Sequence, residues 1–379
     1  MSSLTQDLKQ RARDLGFVLA GVAPASMPGR IDAFHHWLAQ GYAGQMGYLE
    51  DRRDAYRHPD SILDGCRSIV MLALPYANHD ASPREAGNGK VARYAQGPRD
   101  YHDVIHERLK VLKSWLIEHI PNATARGIVD TAPLLEREVA ELAGLGWIGK
   151  NTLLLNRQWG SYFFLAALLT DLELEPDAAQ EQGYCGTCRA CLDACPTNAF
   201  PEPYVLDASR CISYLTIEHR DHVAPELAEQ FDGWLFGCDI CQEVCPWNHW
   251  TRPVDPELES EQEALPLKEL LHLDEQDYRG RFRATPMWRT KRRGLLRNAL
   301  LLAATQKEAQ FIPEIQSLLG DKEPLVRAAA AWALFRLAPE ANLALLAEFY
   351  QGESDASVRS EVGRWFPTDH LNADQPNAG

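Results

Sequence analysis

Eight of the chain's nine cysteines fall between Cys185 and Cys245, and their spacing constrains the fold more than any other feature. The first run, CGTCRACLDACP, sets Cys185, Cys188, Cys191 and Cys195 in the pattern C-x2-C-x2-C-x3-C-P. The second, CDICQEVCP, carries Cys238, Cys241 and Cys245 before Pro246 and lacks a leading cysteine. Cys211 stands alone between the runs and can supply it. In bacterial two-cluster ferredoxins the fourth cysteine of such a run ligates the other cluster. That crossover assigns Cys185, Cys188, Cys191 and Cys245 to one 4Fe–4S cluster, and Cys195, Cys211, Cys238 and Cys241 to a second. Soft thiolates suit iron–sulfur chemistry. Two structural zinc sites of four thiolates each are the alternative, although zinc has no need of the longer run. Cys66 opens an apolar, strand-like run and reads as a buried, inert thiol rather than a reactive one.

The chain has 379 residues, enough for two or three domains. Its formal net charge of −15 argues against a wholly basic nucleic-acid binder but leaves room for a local basic surface. No stretch approaches the 18 or more apolar residues of a membrane span. The N-terminal MSSLTQDLKQRARDLG reads as an amphipathic helix rather than a signal peptide. A cytosolic protein with no membrane partner is therefore expected, and in a reducing compartment its cysteines are ligands rather than disulfides.

Residues 1–180 alternate helical and strand-like segments. SIVMLALPY (68–76) is a buried strand, residues 100–120 a helix, RGIVD (126–130) a short strand, and PLLEREVAELAGLG (133–146) a helix with Pro133 in its first turn. SYFFLAALLTDLEL (161–174) is a further buried strand or hairpin. With no G-x-G-x-x-G after a strand and no G-x-x-x-x-G-K-[ST], neither a Rossmann nor a P-loop reading holds. Residues 181–255 form the cysteine module, and 256–290 a linker with a basic segment. Residues 291–366 carry a repeat: LLRNALLLAA, LVRAAAAWAL and SVRSEVGRWF place Arg297, Arg327 and Arg359 at intervals of 30 and 32. D-x-x-P-x-V-R in the second copy resembles HEAT-type helical repeats, with a plain helical bundle as the alternative. Residues 367–379 read as a flexible tail. The fold class is α+β multidomain: an α/β domain, a ferredoxin-like two-cluster module and HEAT-like repeats.

That order of domains coincides with VARYAQGPRDYH (91–102), VDTAPLLEREVAELAGLGWIGKNTLLL (129–155) and GSYFFLAALLTDLEL (160–174). Together these stretches resemble the epoxyqueuosine reductase family over roughly residues 1–365. The resemblance implies an oxidoreductase that takes epoxyqueuosine to queuosine at the wobble position of tRNAs with GUN anticodons. It also implies a cobalamin cofactor, two 4Fe–4S clusters and kinship with reductive dehalogenases. A low-potential donor of flavodoxin or ferredoxin type and a monomeric state are expected with it. The chain has no D-x-H-x-x-G cobalamin motif, in keeping with cobalamin held base-off without a protein histidine below the cobalt.

Removing an epoxide oxygen as water takes two electrons and two protons. The resemblance marks Asp130, the aspartate of V-D-T-A-P, as proton donor. Position alone reads it as a helix cap. An acid working near neutral pH would need a raised pKa, which burial beside the corrin would provide. Gly149, Lys150, Asn151 and Thr152 are candidates to grip corrin amides or the nucleotide tail, with an ordinary turn as the alternative. Arg53, Arg93 and Tyr94, and Ser213 and Tyr214 next to Cys211, complete the expected cofactor set. For tRNA, residues 279–297 hold eight cations and no acid, +8 within a chain of −15, leaving −23 elsewhere. Arg281, Arg283, Arg289, Lys291, Arg292, Arg293 and Arg297 are expected at phosphates and Trp288 at a base, with Phe282 also interleaved. The plainer reading of such a run is a solvated face. A dehalogenase-like reductase of small molecules, or a non-enzymatic electron carrier with a helical docking arm, are the competing functions. The basic run and repeats argue against the first, and the 180-residue leading domain against the second.

Overall fold

The computed structural model describes residues 2–76, 86–249, 253–259 and 264–366. The expected tail at 367–379 lies outside the described residues, as do 250–252 of the expected cysteine module and 260–263 of the expected linker. The chain divides into two compact units that do not follow sequence order. Met1–Ala81, Arg93–Cys211 and Asp239–Glu261 make the first, and Ser82–Ala92, Ile212–Cys238 and Gln262–Gly379 the second. The segment 181–255, expected to stand as one module, is thus shared between them: residues through Cys211 and from Asp239 join the first unit, and Ile212–Cys238 the second.

The first unit is built on a four-stranded antiparallel sheet in the order Leu19–Pro24, Ser68–Pro75, Phe163–Thr170, Ala125–Ile128. Every residue of Ser68–Pro75 is buried, which explains its unbroken apolar sequence: as an inner strand it is covered on both faces. Alternate side chains divide between two cores. Val70, Leu72 and Leu74 pack with Leu8 and Ala12 of the helix Ser2–Asp14 and with Val104, Leu109 and Leu116 of the helix Tyr101–His119. Ile69, Met71 and Ala73 pack instead with Val139 and Ala140 of the helix Glu136–Leu142. That helix approaches the sheet so closely that a Cβ on Gly21 would lie 2.0 Å from the Ala143 carbonyl oxygen, so only glycine fits there.

Two local expectations fail on the stretch before this helix. The helix spans Glu136–Leu142 rather than 133–146, so Pro133 lies in the loop ahead of it. Its cap position is Leu135, so Asp130 is not a helix cap. The G-x-G-x-x-G spelled by residues 144–149 follows this helix, not a strand, consistent with rejecting a Rossmann reading.

In the second unit the helices Lys291–Thr305, Pro324–Leu337 and Ala356–Gly363 carry the three repeat arginines and alternate with Ile312–Ser317 and Pro339–Gly352. A small sheet sets Asn88–Val91 between Trp234–Phe236, parallel, and Ala264–Pro266, antiparallel. Among the described residues no helix is long and apolar enough to cross a membrane.

Candidate functional site

A cavity of about 210 Å³ in the first unit is lined by Cys185, Cys188, Cys191 and Cys245, with Lys150 and Trp247. These are the four thiols that the crossover groups together, although Cys245 is remote from the others in sequence. Lys150 Nζ donates to the carbonyls of Gly186 (2.6 Å) and Cys188 (2.8 Å), fixing the loop between two of them. Burial pushes the Cys245 thiol up to about 11; the Trp247 amide offsets part of this, and Cys185, Cys191 and Cys188 add to it. The Cys241 thiol is raised well above its usual range, first by burial and then by Cys211, with Cys191 and Cys195 contributing. Cys195 Sγ also accepts from the Ala199 amide at 3.4 Å, a bond of the kind that tunes cluster potential. Among the described residues no three His, Cys, Asp or Glu side chains converge on a point that would hold a metal ion. Zinc would gather thiolates about 2.3 Å from one centre. A cubane spreads four thiolates around four irons.

Asp130 follows the edge strand Ala125–Ile128 and has φ of 58°, the left-handed region. Aspartate tolerates that conformation better than most residues, at a cost of roughly 1–2 kcal/mol, and such strain concentrates at functional loops. Asp130 Oδ2 accepts from Tyr101 Oη (2.9 Å) and pairs with His102 Nε2 (3.3 Å). The opposite imidazole nitrogen, Nδ1, meets Asp100 Oδ1 at 2.7 Å. Asp100 is also the N-cap of the helix Tyr101–His119, accepting from the His102 amide. The sequence RDYH therefore fixes cap, tyrosine and histidine in one turn. Tyr101 is held rigidly, stacked on Phe164 (centroids 3.9 Å, 7°) and on the His102 ring (4.0 Å), with Tyr94 at its edge.

The electrostatics reverse the expected sign. The hydrogen bond from His102 lowers the Asp130 pKa and outweighs burial, which would raise it. The carboxylate remains more than half exposed, 57%. His102 carries the proton instead: burial lowers its pKa, but Asp100 and Asp130 overcome this and hold it at about 9. Nearby, burial and then the charge of Asp130 raise Glu136 to about 7. Tyr101 and His102 escaped the residue-level reading although both stand in the RDYH stretch. The available signal was a histidine two residues after a capping aspartate, in a segment singled out only for its wording.

A second cavity, about 340 Å³, borders the same loop and is lined by Arg52, His106, Arg126, Thr131 and Pro133 among others. Arg52 Nη2 donates to the Thr131 carbonyl at 3.1 Å. It is Arg52 that reaches the Asp130 loop, while Arg53 is half exposed and pairs with Glu50 at 3.0 Å. Other cofactor candidates have partners or packing roles within the protein. Arg93 is 6% exposed and bonded to Tyr162, with Asp239 and Glu243 as ion partners, because a buried guanidinium must be paired. Lys150 and Asn151 serve the cysteine loops, Asn151 through the Cys241 carbonyl at 3.3 Å. Gly149 is a packing glycine, since a Cβ there would lie 2.6 Å from Leu155, and Thr152 adopts a positive φ of 66° in the following turn. Ser213 and Tyr214 lie on the helix Ile212–Ile217 of the second unit, where Tyr214 is buried.

The basic run divides in the same way. Arg297 is 1% exposed and donates to the carbonyls of Leu215 (2.6 Å), His219 (2.9 Å) and Asp221 (2.8 Å). Arg292 is 8% exposed, paired with both oxygens of Asp321 and bonded to the Leu273 carbonyl. Phe282 is buried as well. These three are structural, because the helix that carries the arginines turns them inward. Arg281, Arg283, Arg289, Lys291 and Arg293 are exposed. Trp288 stacks on Tyr278 (5.2 Å, 18°), with Lys291 Nζ 5.3 Å from its ring centre.

Three stretches of the chain match known protein families. Residues 184–248 match the 4Fe-4S double cluster binding domain, 292–364 match HEAT repeats, and 57–131 match the epoxyqueuosine reductase QueG family. An epoxyqueuosine reductase of Pseudomonas aeruginosa is 39% identical over 344 residues, covering 88% of this chain and 94% of its own. A crystal structure of an epoxyqueuosine reductase with an epoxyqueuosine-modified tRNA-Tyr stem loop superposes with a TM-score of 0.90 at 32% identity, covering 98% of this chain and 100% of that one. A Bacillus subtilis epoxyqueuosine reductase, described with its catalytic aspartate loop swung out of the active site, superposes at 0.89 and 31% identity, covering 96% and 98%. With cysteine grouping, repeat architecture and end-to-end similarity in agreement, this chain belongs to the epoxyqueuosine reductase family.

Proposed function

We propose that the protein reduces epoxyqueuosine to queuosine in tRNA, and that the Asp130–His102 pair delivers the proton that lets the epoxide oxygen leave. The pairing of Asp130 Oδ2 with His102 Nε2 at 3.3 Å is the observation that carries this reading, and the raised pKa of His102 supports it. An alkoxide leaves poorly without a proton, and a positioned acid contributes typically 10²–10⁴-fold. Asp130 is the more exposed member of the pair, so it would pass on the proton that His102 stores, while Asp100 holds the ring. Tyr101 orients the same carboxylate oxygen.

The thiolates supply sites for clusters able to pass electrons singly at low potential. The buried Trp147 indole N–H, without a partner among the described residues, packs with Cys185 and Cys245, and cluster sulfur is an acceptor of the kind it lacks. Cobalamin, when bound, supplies reduced cobalt as a two-electron nucleophile. Arg52, which reaches the Asp130 loop through the Thr131 carbonyl, would be a cationic group to hold it. The exposed cations of residues 279–293 support the tRNA reading.

The decisive experiment is turnover of epoxyqueuosine-containing tRNA with a low-potential reductant and added cobalamin. Formation of queuosine that depends on cobalamin and on intact clusters is expected. Equal turnover of a small halogenated aromatic, with none of tRNA, would favour the dehalogenase-like reading.

A further inference from the structure

Glu218 occupies an unusual position in the second unit. The side chain lies in the loop after the helix Ile212–Ile217, far in sequence from the basic run, yet it is the acid that Arg289 of that run meets. Arg289 grips it with a two-pronged fork, Nε to Oε1 at 2.8 Å and Nη2 to Oε2 at 3.0 Å. Arg220 Nη2 approaches the same Oε2 at 3.6 Å. Arg293 lies in the same electrostatic neighbourhood, its own ion partner Glu323 being 3.8 Å away. Burial lowers the Arg220 pKa, Glu218 raises it, and Arg289 and Arg293 lower it again, so repulsion among the guanidiniums persists despite the shared carboxylate. Arg289 remains 54% exposed and Arg220 32%, so the fork opens to solvent while the carboxylate beneath is 20% exposed.

A planar guanidinium fork fits a carboxylate and a phosphate alike. We propose that Glu218 is a built-in stand-in for a tRNA phosphate: in the free protein it holds Arg289 and Arg220 in place, and it competes with a backbone phosphate that docks on Arg220, Arg289 and Arg293. The inference rests on the tRNA reading and extends it to Arg220, which lies outside residues 279–297. An acid in this place preorganises the fork, which lowers the cost of ordering it, and limits affinity, which favours release of product tRNA.

The test uses the full-length protein and an unmodified anticodon stem–loop RNA with a GUN anticodon, with binding measured across a salt series. Glu218→Gln should tighten binding about 2–5-fold, the range expected for removing one exposed opposing charge. Arg220→Gln should weaken binding and reduce the slope of log affinity against log salt by about 0.7–0.9. Thermal melting of each variant checks that the fold is intact. Unchanged or weaker binding by a folded Glu218→Gln variant, or an unchanged slope for Arg220→Gln, would overturn the proposal. A third variant, with Arg283, Lys291, Arg289 and Arg293 neutralised, separates the two ideas. If it binds like the parent at every salt concentration, the tRNA reading fails; if it binds weakly while Glu218→Gln has no effect, only the stand-in role fails.

Discussion

Arg297→Leu separates a structural arginine from a phosphate ligand. The guanidinium satisfies three backbone carbonyls and Asn298 Oδ1, the last at 2.8 and 3.1 Å. The His219 and Asp221 carbonyls belong to a partly exposed loop and can recruit water. The Leu215 and Asn298 acceptors are buried and would be orphaned, at roughly 1–3 kcal/mol each. Leucine regains some apolar burial, and removing a buried cation relieves its desolvation, so the net loss is about 3–4 kcal/mol. For a unit of this size each kcal/mol moves the midpoint by about 2–4 °C, giving a drop of roughly 6–16 °C. Arg289→Gln, by contrast, disrupts an exposed pair and should shift stability by no more than about 1 kcal/mol. The assay is anaerobic thermal melting followed by far-UV circular dichroism, beside a tRNA salt series. If Arg297→Leu melts with the parent while its salt slope falls by about 0.7–0.9, the arginine is a phosphate ligand and the packing argument is wrong.

Other outcomes follow from the first unit. Cys211→Ala should lose about half the iron and keep the cluster held through Cys245; full iron content with unchanged reduction behaviour would remove Cys211 from the ligand set. Asp130→Asn should fold and keep its iron while losing about 10²–10⁴ in turnover; near-normal turnover would end its part in proton delivery. Because His102 is raised from 6.5 to about 9, the proton and the stability it contributes are fully present below about pH 6.5 and lost as pH rises through about 9. Turnover should fall over that alkaline limb, and His102→Gln should abolish the limb; an identical pH profile for parent and variant would refute the pairing.

The inner strand Ser68–Pro75 was legible because burial on both faces leaves an unbroken apolar run, SIVMLALPY, whereas the edge strand Leu19–Pro24 was not read. Cys245 lines one cavity with Cys185, Cys188 and Cys191, the set that the crossover rule of two-cluster ferredoxins gives, which sends the last cysteine of each run to the other cluster. Charge counting performed less well. Arg292 and Arg297 look like their neighbours in one dimension, and only the 3.6-residue turn of the helix decides that they face inward. The Asp130 loop was misread for a related reason: Pro133 suits a first turn, yet the chain needs residues 129–135 to leave the edge strand before a helix can start. The sign of the Asp130 shift was unreadable too, since it depends on His102, 28 residues earlier in the sequence.

The interleaving of the cysteine runs bears on the order of assembly. Joining Cys185 to Cys245 through inorganic core atoms closes a loop of about 60 residues, and by the chain-entropy relation used for disulfides this constrains the unfolded chain by about 4 kcal/mol. Neither ligand set can be completed from the first run alone, so a nascent chain that stops before Cys238 has only partial sets for both clusters. Iron insertion therefore waits on synthesis well past the sheet, and a chain truncated in that interval should present open thiols to any metal at hand.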